Sequence, residues 1–182
     1  MQQQLSGIRR SPVLGGLAEA PARAWFAALS LGVFGLMLGG MTLQHLVRIA
    51  PCPLCIAQRF LYFLLAFIAL GGVAWPAWVR FWSLLTGGVA FFGWCIAAYQ
   101  TWMQAFPHLA PECSYTDPNL IERMVDWLGM QWPSLFLATG FCGSRDWEFV
   151  GLSLANWSLL AFTAILTLLA WLYFSRRPSL RA

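Results

Sequence analysis

The sequence predicts an all-α membrane protein: a bundle of four transmembrane helices with a short interfacial helix in the second loop on the outer side. Of the 182 residues, 59% are hydrophobic and 10% are charged, whereas about 25% are charged in an average soluble domain. The mean hydropathy is +0.64, and four charge-free runs are long enough to span a membrane. A chain of this size holds four spans and one sizeable loop, so we expect one domain.

The first predicted helix occupies Ala24 to Val47, 24 residues without a charge. At 1.5 Å per residue, a bilayer core of about 30 Å requires about 20 residues. Because this run exceeds the apolar region of a signal peptide, which is about 7–15 residues, and no convincing cleavage site follows it, we expect a retained helix. Residues 1–23 lack a periodic apolar pattern and are predicted to be a cytoplasmic tail.

The second and third helices are predicted to form a tight hairpin. Phe60 to Val79 is uncharged over 20 residues, and the next uncharged run begins at Phe81. We expect the third helix to end near Met103, because polar residues and then Pro107 follow. The connection is short, around Trp75 to Trp78. We predict that the second helix begins near Cys55, since prolines suit the entry of a helix.

The second outer loop, about 104–150, contains a short amphipathic helix by pattern. Asp117-Pro118 supplies a cap and a first-turn proline, and Gly129 follows the apolar repeat. The helix could lie on the membrane or pack on its own bundle, and the pattern fits both. The fourth span is predicted over Gly151 to Ser175, inside a membrane domain of 24–175, with a tail at 176–182. The apolar positions of the loop helix are Leu120, Ile121, Met124, Val125 and Leu128.

The arginines predict the orientation of the bundle. With both termini in the cytoplasm, seven arginines lie inside and four lie outside, which agrees with the positive-inside rule. The first outer loop is then about 48–55. The net charge of +4 is explained by this orientation and gives no indication of nucleic-acid binding.

Four of the five cysteines fall on the predicted outer side, where disulfides persist. They are the Cys52-Pro53-Leu54-Cys55 motif and the pair Cys113 and Cys142, which are 29 residues apart. Cys95 lies in the third span, where we expect it to pack as a small buried hydrophobe. A static disulfide or a zinc site would be the alternative to redox chemistry. Zinc is disfavoured because only His45 and His108 could add to the sulfurs, so we expect no metal.

Cys55 and Arg59 are predicted to form the reactive end of the motif. Cys55 lies at the start of a helix, near the positive end of its dipole, and Arg59 is one turn further along the same face. Both features favour a thiolate at Cys55. Arg59 could also hydrogen-bond a ligand, although a snorkelling arginine at a helix end is an equally ordinary interpretation. No dinucleotide-binding or haem-attachment motif is present, which leaves a lipid-soluble quinone as the electron acceptor.

These motifs resemble the DsbB family of bacterial inner-membrane oxidoreductases, over about Ala24 to Ser175. The family often has His or Arg just upstream of its Gln-x-x-Pro stretch, where this chain has Tyr99 and Gln100. That difference bears on the polar wall of the quinone site. The matching stretches are Pro51 to Arg59, Gln104 to Pro107 before Cys113, and Gly140 to Leu152 leading to Trp157.

The resemblance implies a bundle in the bacterial inner membrane that reoxidises a periplasmic, thioredoxin-like DsbA-type protein and reduces a membrane quinone, with ubiquinone favoured over menaquinone. By position, Cys113 forms the mixed disulfide with the partner and Cys142 is its disulfide mate. Cys52 then exchanges with this loop pair, and Cys55 interacts with the quinone, helped by Arg59. A DsbA-type oxidant has a reduction potential of about −120 mV, so its reoxidation needs an electron acceptor as oxidising as a respiratory quinone.

Three other interpretations remain open at this point. The protein could be a specialised paralogue that oxidises one dedicated partner, which depends on loop surface that a sequence does not reveal. It could carry electrons outward through cysteines in the membrane, although such a protein would require a reactive cysteine pair that is accessible from the cytoplasm. It could also be a scaffold whose disulfides only staple the outer loops, in which case substituting Cys52 or Cys55 would alter stability and leave electron transfer intact.

Overall fold

The computed structural model of the protein describes residues 21–107, 119–145 and 147–175. Within these ranges four helices are long and apolar enough to cross a membrane, which confirms the predicted four-helix membrane fold. The long helices are α1 (Ala22–Val47), α2 (Pro53–Ala74), α3 (Val79–Ala105) and α6 (Leu154–Ser175). A 3₁₀ turn (Pro76–Trp78) joins α2 to α3. Between α3 and α6 lie four shorter elements: α4 (Leu120–Gln131), α5 (Pro133–Phe136) and the strands β1 (Glu148–Phe149) and β2 (Leu152–Ser153).

Three predicted helix starts differ from the structure by two or three residues, and the first of them is that of α1, which begins at Ala22 rather than Ala24. Helix α2 begins at Pro53 rather than near Cys55, because Cys52 is its N-cap residue and the Cys52 sulfur accepts from the backbone N–H of Cys55 at 3.3 Å. Helix α6 begins at Leu154 rather than Gly151. The residues before it form an antiparallel hairpin, whose two-residue turn, Val150 and Gly151, has positive φ angles of 57° and 73°. The third helix ends at Ala105, two residues beyond the predicted end.

The helices pack in the order α1, α2, α3, α6. Helix α1 approaches α2 closely where the Phe26 ring covers Gly72, and the Phe162 ring of α6 likewise covers Gly93 of α3. Helices α1 and α6 meet at one end of the bundle, where the rings of Trp25 and Trp171 lie 5.3 Å apart. At the other end, where the cysteines lie, an apolar groove separates α1 from α6.

Helix α4 is the amphipathic helix predicted in the second loop, with a different cap. Asn119 caps it and forms a capping box with Glu122; the predicted cap, Asp117-Pro118, lies outside the described residues, as does Cys113. The helix also continues through Gly129 to Gln131. One face packs against α2, whereas Leu120 on the other side is 85% exposed. Its placement on a membrane surface stays a prediction.

Cys95 does not pack inside the protein, so that expectation is wrong. Its side chain is exposed on α3, on the outside of the bundle. The neighbouring positions Ile96 and Ala97 are the buried ones. A small apolar thiol is compatible with lipid, which is why the residue type alone did not predict the face.

Candidate active site

Three of the four cysteines predicted to be functional meet at one point of the structure. The Cys52 thiol donates a hydrogen bond to the Cys55 sulfur, with the two sulfurs 2.8 Å apart. Cys52 is also hydrogen-bonded to Cys142, which comes from the loop after α5. Cys52 and Cys142 are buried, and Cys55 is partly buried. The three sulfurs therefore form a continuous chain in which Cys52 is the central member.

Backbone contacts hold the Cys142 loop against the Cys52 loop. The N–H groups of Thr139 and Gly140 both donate to the carbonyl of Pro51, at 2.9 and 3.0 Å. Gly140 lies so close to Ala50 that a Cβ atom there would collide with the Ala50 carbonyl. This docking of two loops, in which Thr139 and Gly140 follow Pro51 by 88 and 89 residues, places Cys142 beside Cys52.

Two buried glutamines complete the sulfur cluster. The side-chain amide nitrogen of Gln100 donates to the Cys52 sulfur at 3.2 Å and to the Cys55 sulfur at 3.1 Å. The amide oxygen of Gln100 accepts a hydrogen bond from Gln58 Nε2 at 2.8 Å. Gln58 and Gln100 are 4% and 3% exposed. Buried polar groups need hydrogen-bond partners, and here the two amides and the two sulfurs provide them for one another.

The surroundings assign different protonation behaviour to the sulfurs. Hydrogen bonds with Cys142 and Cys55, together with burial, raise the pKa of the Cys52 thiol well above its usual range. The Cys52 thiol therefore keeps its proton and donates a hydrogen bond to the Cys55 sulfur. Cys55 lies in the first turn of α2 and accepts from both Cys52 and Gln100. This geometry favours Cys55 as the sulfur that carries negative charge.

Cys55 and Arg59 line one cavity, as their spacing of four residues predicted. The cavity has a volume of about 430 Å³, lies between α1 and α6, and is mostly apolar. The Arg59 guanidinium donates to the side-chain oxygen of Gln44 on α1 and to the carbonyl of Leu135 in α5. Arg59 is therefore anchored by two other elements of the fold and does not simply extend into solvent. A cavity of this size and polarity is typical of small-ligand sites.

Sequence reasoning named Cys52, Cys55, Cys142 and Arg59, and the structure brings these four residues together. It missed Gln58 and treated Gln100 only as a departure from a family pattern. A usable signal was present, because polar residues are uncommon inside membrane spans and usually face the bundle interior. Gln104 belongs to the same set: it donates to the Ser144 carbonyl at 3.0 Å and accepts from Ser153 Oγ at 2.6 Å, which ties the segment after Cys142 to α3.

No group of His, Cys, Asp and Glu side chains in the part of the chain that the structure describes is arranged to hold a metal ion. The site consists of thiols, amides and one guanidinium. Thiols that contact one another at the edge of an apolar cavity can exchange disulfides.

Comparison with known proteins gives one consistent family. The family model for disulfide bond formation protein DsbB matches residues 22–172. Three similar proteins are each called disulfide bond formation protein B. That of Dechloromonas aromatica (strain RCB) is 62% identical over 148 residues, which is 81% of this chain and 90% of the relative. That of Azoarcus sp. (strain BH72) is 42% identical over 85% and 94%. That of Albidiferax ferrireducens is 37% identical over 92% and 97%.

Proposed function

The chain belongs to the DsbB family of disulfide bond formation proteins, and from this membership we propose that it reoxidises a periplasmic DsbA-type dithiol protein and passes the two electrons to a membrane quinone. Its family and its four apolar helices indicate a multi-pass membrane protein that takes part in disulfide bond formation. The proposal adds the electron donor and the electron acceptor. The observation that carries it is the chain of three sulfurs ending at an apolar cavity.

Electron transfer through the sulfurs follows from their contacts. A partner thiolate would attack the Cys113–Cys142 disulfide at Cys113, and Cys142 would leave as a thiolate. Cys142 adjoins Cys52, so it would attack the Cys52 sulfur of the Cys52–Cys55 disulfide and release Cys55. Resolution by the second partner thiol and then by Cys113 restores the loop disulfide. Each attack forms one S–S bond and breaks one, so the partner is oxidised while Cys52 and Cys55 become the dithiol.

The cavity fits a quinone by its shape and by its donors. Its apolar wall, which includes Leu36, Met37 and Leu160, is open between α1 and α6 and suits an isoprenoid quinone, while Cys55 and Arg59 lie at its polar end. A bound quinone supplies a two-electron, two-proton acceptor that an isolated dithiol lacks. Arg59 and Gln44 would orient the ring oxygens, and the surrounding apolar side chains would exclude water.

The same proposal sets the location of the site. Disulfides persist in the periplasm and not in the cytoplasm, so the cysteine end of the bundle would face the periplasm of a bacterial inner membrane. Both termini would then lie in the cytoplasm, in agreement with the excess of arginine on that side. Helix α4, with its exposed Leu120, would lie at the membrane surface beside the entry to the sulfurs.

The test of this function is quinone reduction by the purified protein in lipid nanodiscs, with a reduced DsbA-type protein as electron donor. We expect many turnovers, with one quinone reduced for each partner dithiol oxidised, and faster turnover with ubiquinone than with menaquinone. Turnover with dithiothreitol but not with the DsbA-type protein would favour a paralogue with a dedicated partner. No turnover with either donor and either quinone would contradict the proposal and favour a structural role for the cysteines.

Arg59 should affect the quinone step specifically. We expect Arg59→Met to lower kcat/KM for quinone by about tenfold or more, because a hydrogen bond to a charged group contributes about 1.5–3 kcal/mol. The kinetic measurement varies the quinone concentration at a saturating concentration of the reduced partner. Arg48→Met is the matched control, since Arg48 is exposed and does not line the cavity that contains Cys55. Equal kcat/KM values for the two variants would argue against a role for Arg59 in quinone binding.

A further inference from the structure

Gln100 is the residue on α3 that faces both sulfurs of the Cys-x-x-Cys motif. Its Nε2 atom is 3.2 Å from the Cys52 sulfur and 3.1 Å from the Cys55 sulfur. A side-chain amide carries two N–H donors on one nitrogen, so it can serve two acceptors at once. The spacing of Cys52 and Cys55 around one helix turn presents both sulfurs to that nitrogen.

Gln58 determines which way this amide points. Gln58 Nε2 donates to Gln100 Oε1 at 2.8 Å, so the oxygen of the Gln100 amide is directed at Gln58 and its nitrogen at the sulfurs. Both side chains are almost fully buried, so breaking this hydrogen bond would leave a buried donor and a buried acceptor unpaired. Rotating the Gln100 amide would place its nitrogen against the Gln58 nitrogen and leave two donors facing each other.

We propose that Gln100 is a catalytic residue that stabilises the reduced form of the Cys52–Cys55 pair, and that Gln58 is the positioning residue that orients it. This inference rests on the proposed function and names a determinant of its driving force. When Cys142 attacks Cys52, the Cys52–Cys55 bond breaks and its electron pair goes to the Cys55 sulfur. The Gln100 N–H already points at that sulfur and requires no reorganisation as the charge develops.

The effect is directional because the two redox states differ as acceptors. A thiolate is a charged, strong acceptor, whereas a disulfide sulfur is neutral and weak, so the same two donors stabilise the reduced pair more than the oxidised pair. Stabilising the reduced form makes a dithiol pair a stronger oxidant. The glutamines would thus help the Cys52–Cys55 disulfide accept electrons from a partner that is itself a strong oxidant.

The test is an anaerobic equilibrium of the Cys52–Cys55 pair with glutathione redox buffers, in the full chain carrying Cys95→Ser, Cys113→Ser and Cys142→Ser. We expect Gln100→Leu to shift this equilibrium about tenfold towards the disulfide, which is about 30 mV for a two-electron couple. Gln58→Leu should shift it in the same direction by a smaller factor. The double variant should match Gln100→Leu alone, because Gln58 acts through Gln100.

Thr86→Val is the matched control for loss of a buried polar group on the same helix. Thr86 is fully buried and donates to the Trp82 carbonyl. It lies about 21 Å along α3 from Gln100 at 1.5 Å per residue, so its variant should show the same thiol–disulfide equilibrium as the parent. Gln100→Glu keeps the size and polarity of the side chain for the case in which Gln100→Leu does not fold, and it should favour the disulfide by at least as much.

An unchanged equilibrium in both Gln100 variants would overturn the proposal. If the shifts in the thiol–disulfide equilibrium were fully additive in the double variant, only the positioning role of Gln58 would be overturned. Because neither quinone nor partner protein is present, this measurement is independent of the assay for the proposed function, and the failure of one can be told from the failure of the other.

Discussion

Cys55→Ser is expected to abolish quinone reduction, whether the electrons come from a reduced DsbA-type protein or from dithiothreitol. Cys55 lies at the end of the chain of three sulfurs and lines the apolar cavity together with Arg59. A serine hydroxyl forms no disulfide with Cys52, so no pair remains to deliver two electrons. We expect a loss of about 10³-fold or more, since removing the nucleophile of a catalytic unit has effects of at least this size.

The Cys142→Ser variant tests the order in which the sulfurs pass electrons. It should abolish turnover with the DsbA-type protein, because Cys142 is the contact between the loop and Cys52. Turnover with dithiothreitol should persist, since a small reductant can attack the Cys52–Cys55 disulfide without the loop. Cys95→Ser, on the exposed face of α3, should match the wild type with both donors. Wild-type turnover by Cys55→Ser in the quinone assay would contradict the proposed route.

The hydrophobic spans could be predicted because they are long and free of charge, and the structure contains all four. Their ends were harder to predict. Pro53 could have marked the start of α2, since proline suits the first helical position, but the capping role of the Cys52 sulfur depends on geometry. The start of α6 is set by the hairpin turn at Val150 and Gly151. A β-branched residue such as Val150 rarely adopts positive φ, so the sequence did not indicate that turn.

The candidate active site shows the same difference between contacts that are local in the sequence and contacts that are distant in it. Cys55 and Arg59 are one helical turn apart, and periodicity alone predicted that they share a face. The contact between Gln58 and Gln100 joins residues 42 positions apart, and the register of α2 against α3 decides it. A polar residue in a membrane span signals that it needs a partner, but the identity of that partner follows only from the packing of the helices.

Cys142 was placed beside the first cysteine pair by resemblance and not by spacing. The structure supplies the physical reason, which is a backbone contact rather than a side-chain motif. Two consecutive N–H groups, those of Thr139 and Gly140, share the Pro51 carbonyl as acceptor. Such a contact requires the two backbones to approach closely, and a residue without a Cβ atom permits it.

Gly140→Ala should move the loop that carries Cys142 away from the Cys52–Cys55 motif and leave the motif itself intact. An added Cβ would collide with the carbonyl oxygen of Ala50 and lie 2.9 Å from its carbon, and backbone atoms cannot move aside as a flexible side chain can. The loop would have to shift, and Cys142, two residues further on, would shift away from Cys52. We expect turnover with the DsbA-type protein to fall about 10²-fold, the effect of a misplacement of about 1 Å at a reacting group.

Gly143→Ala is the matched control, because an added Cβ at Gly143 has no atom within 4 Å. It changes a glycine in the same loop, on the other side of Cys142, and should preserve turnover with both donors. In Gly140→Ala, turnover with dithiothreitol should equal that of the wild type, since the substitution lies outside the Cys52–Cys55 motif and outside the contacts of Gln100 with both sulfurs. Equal loss with both donors would mean that the substitution damages the bundle, and no loss with either would mean that the two loops need not dock for electrons to pass.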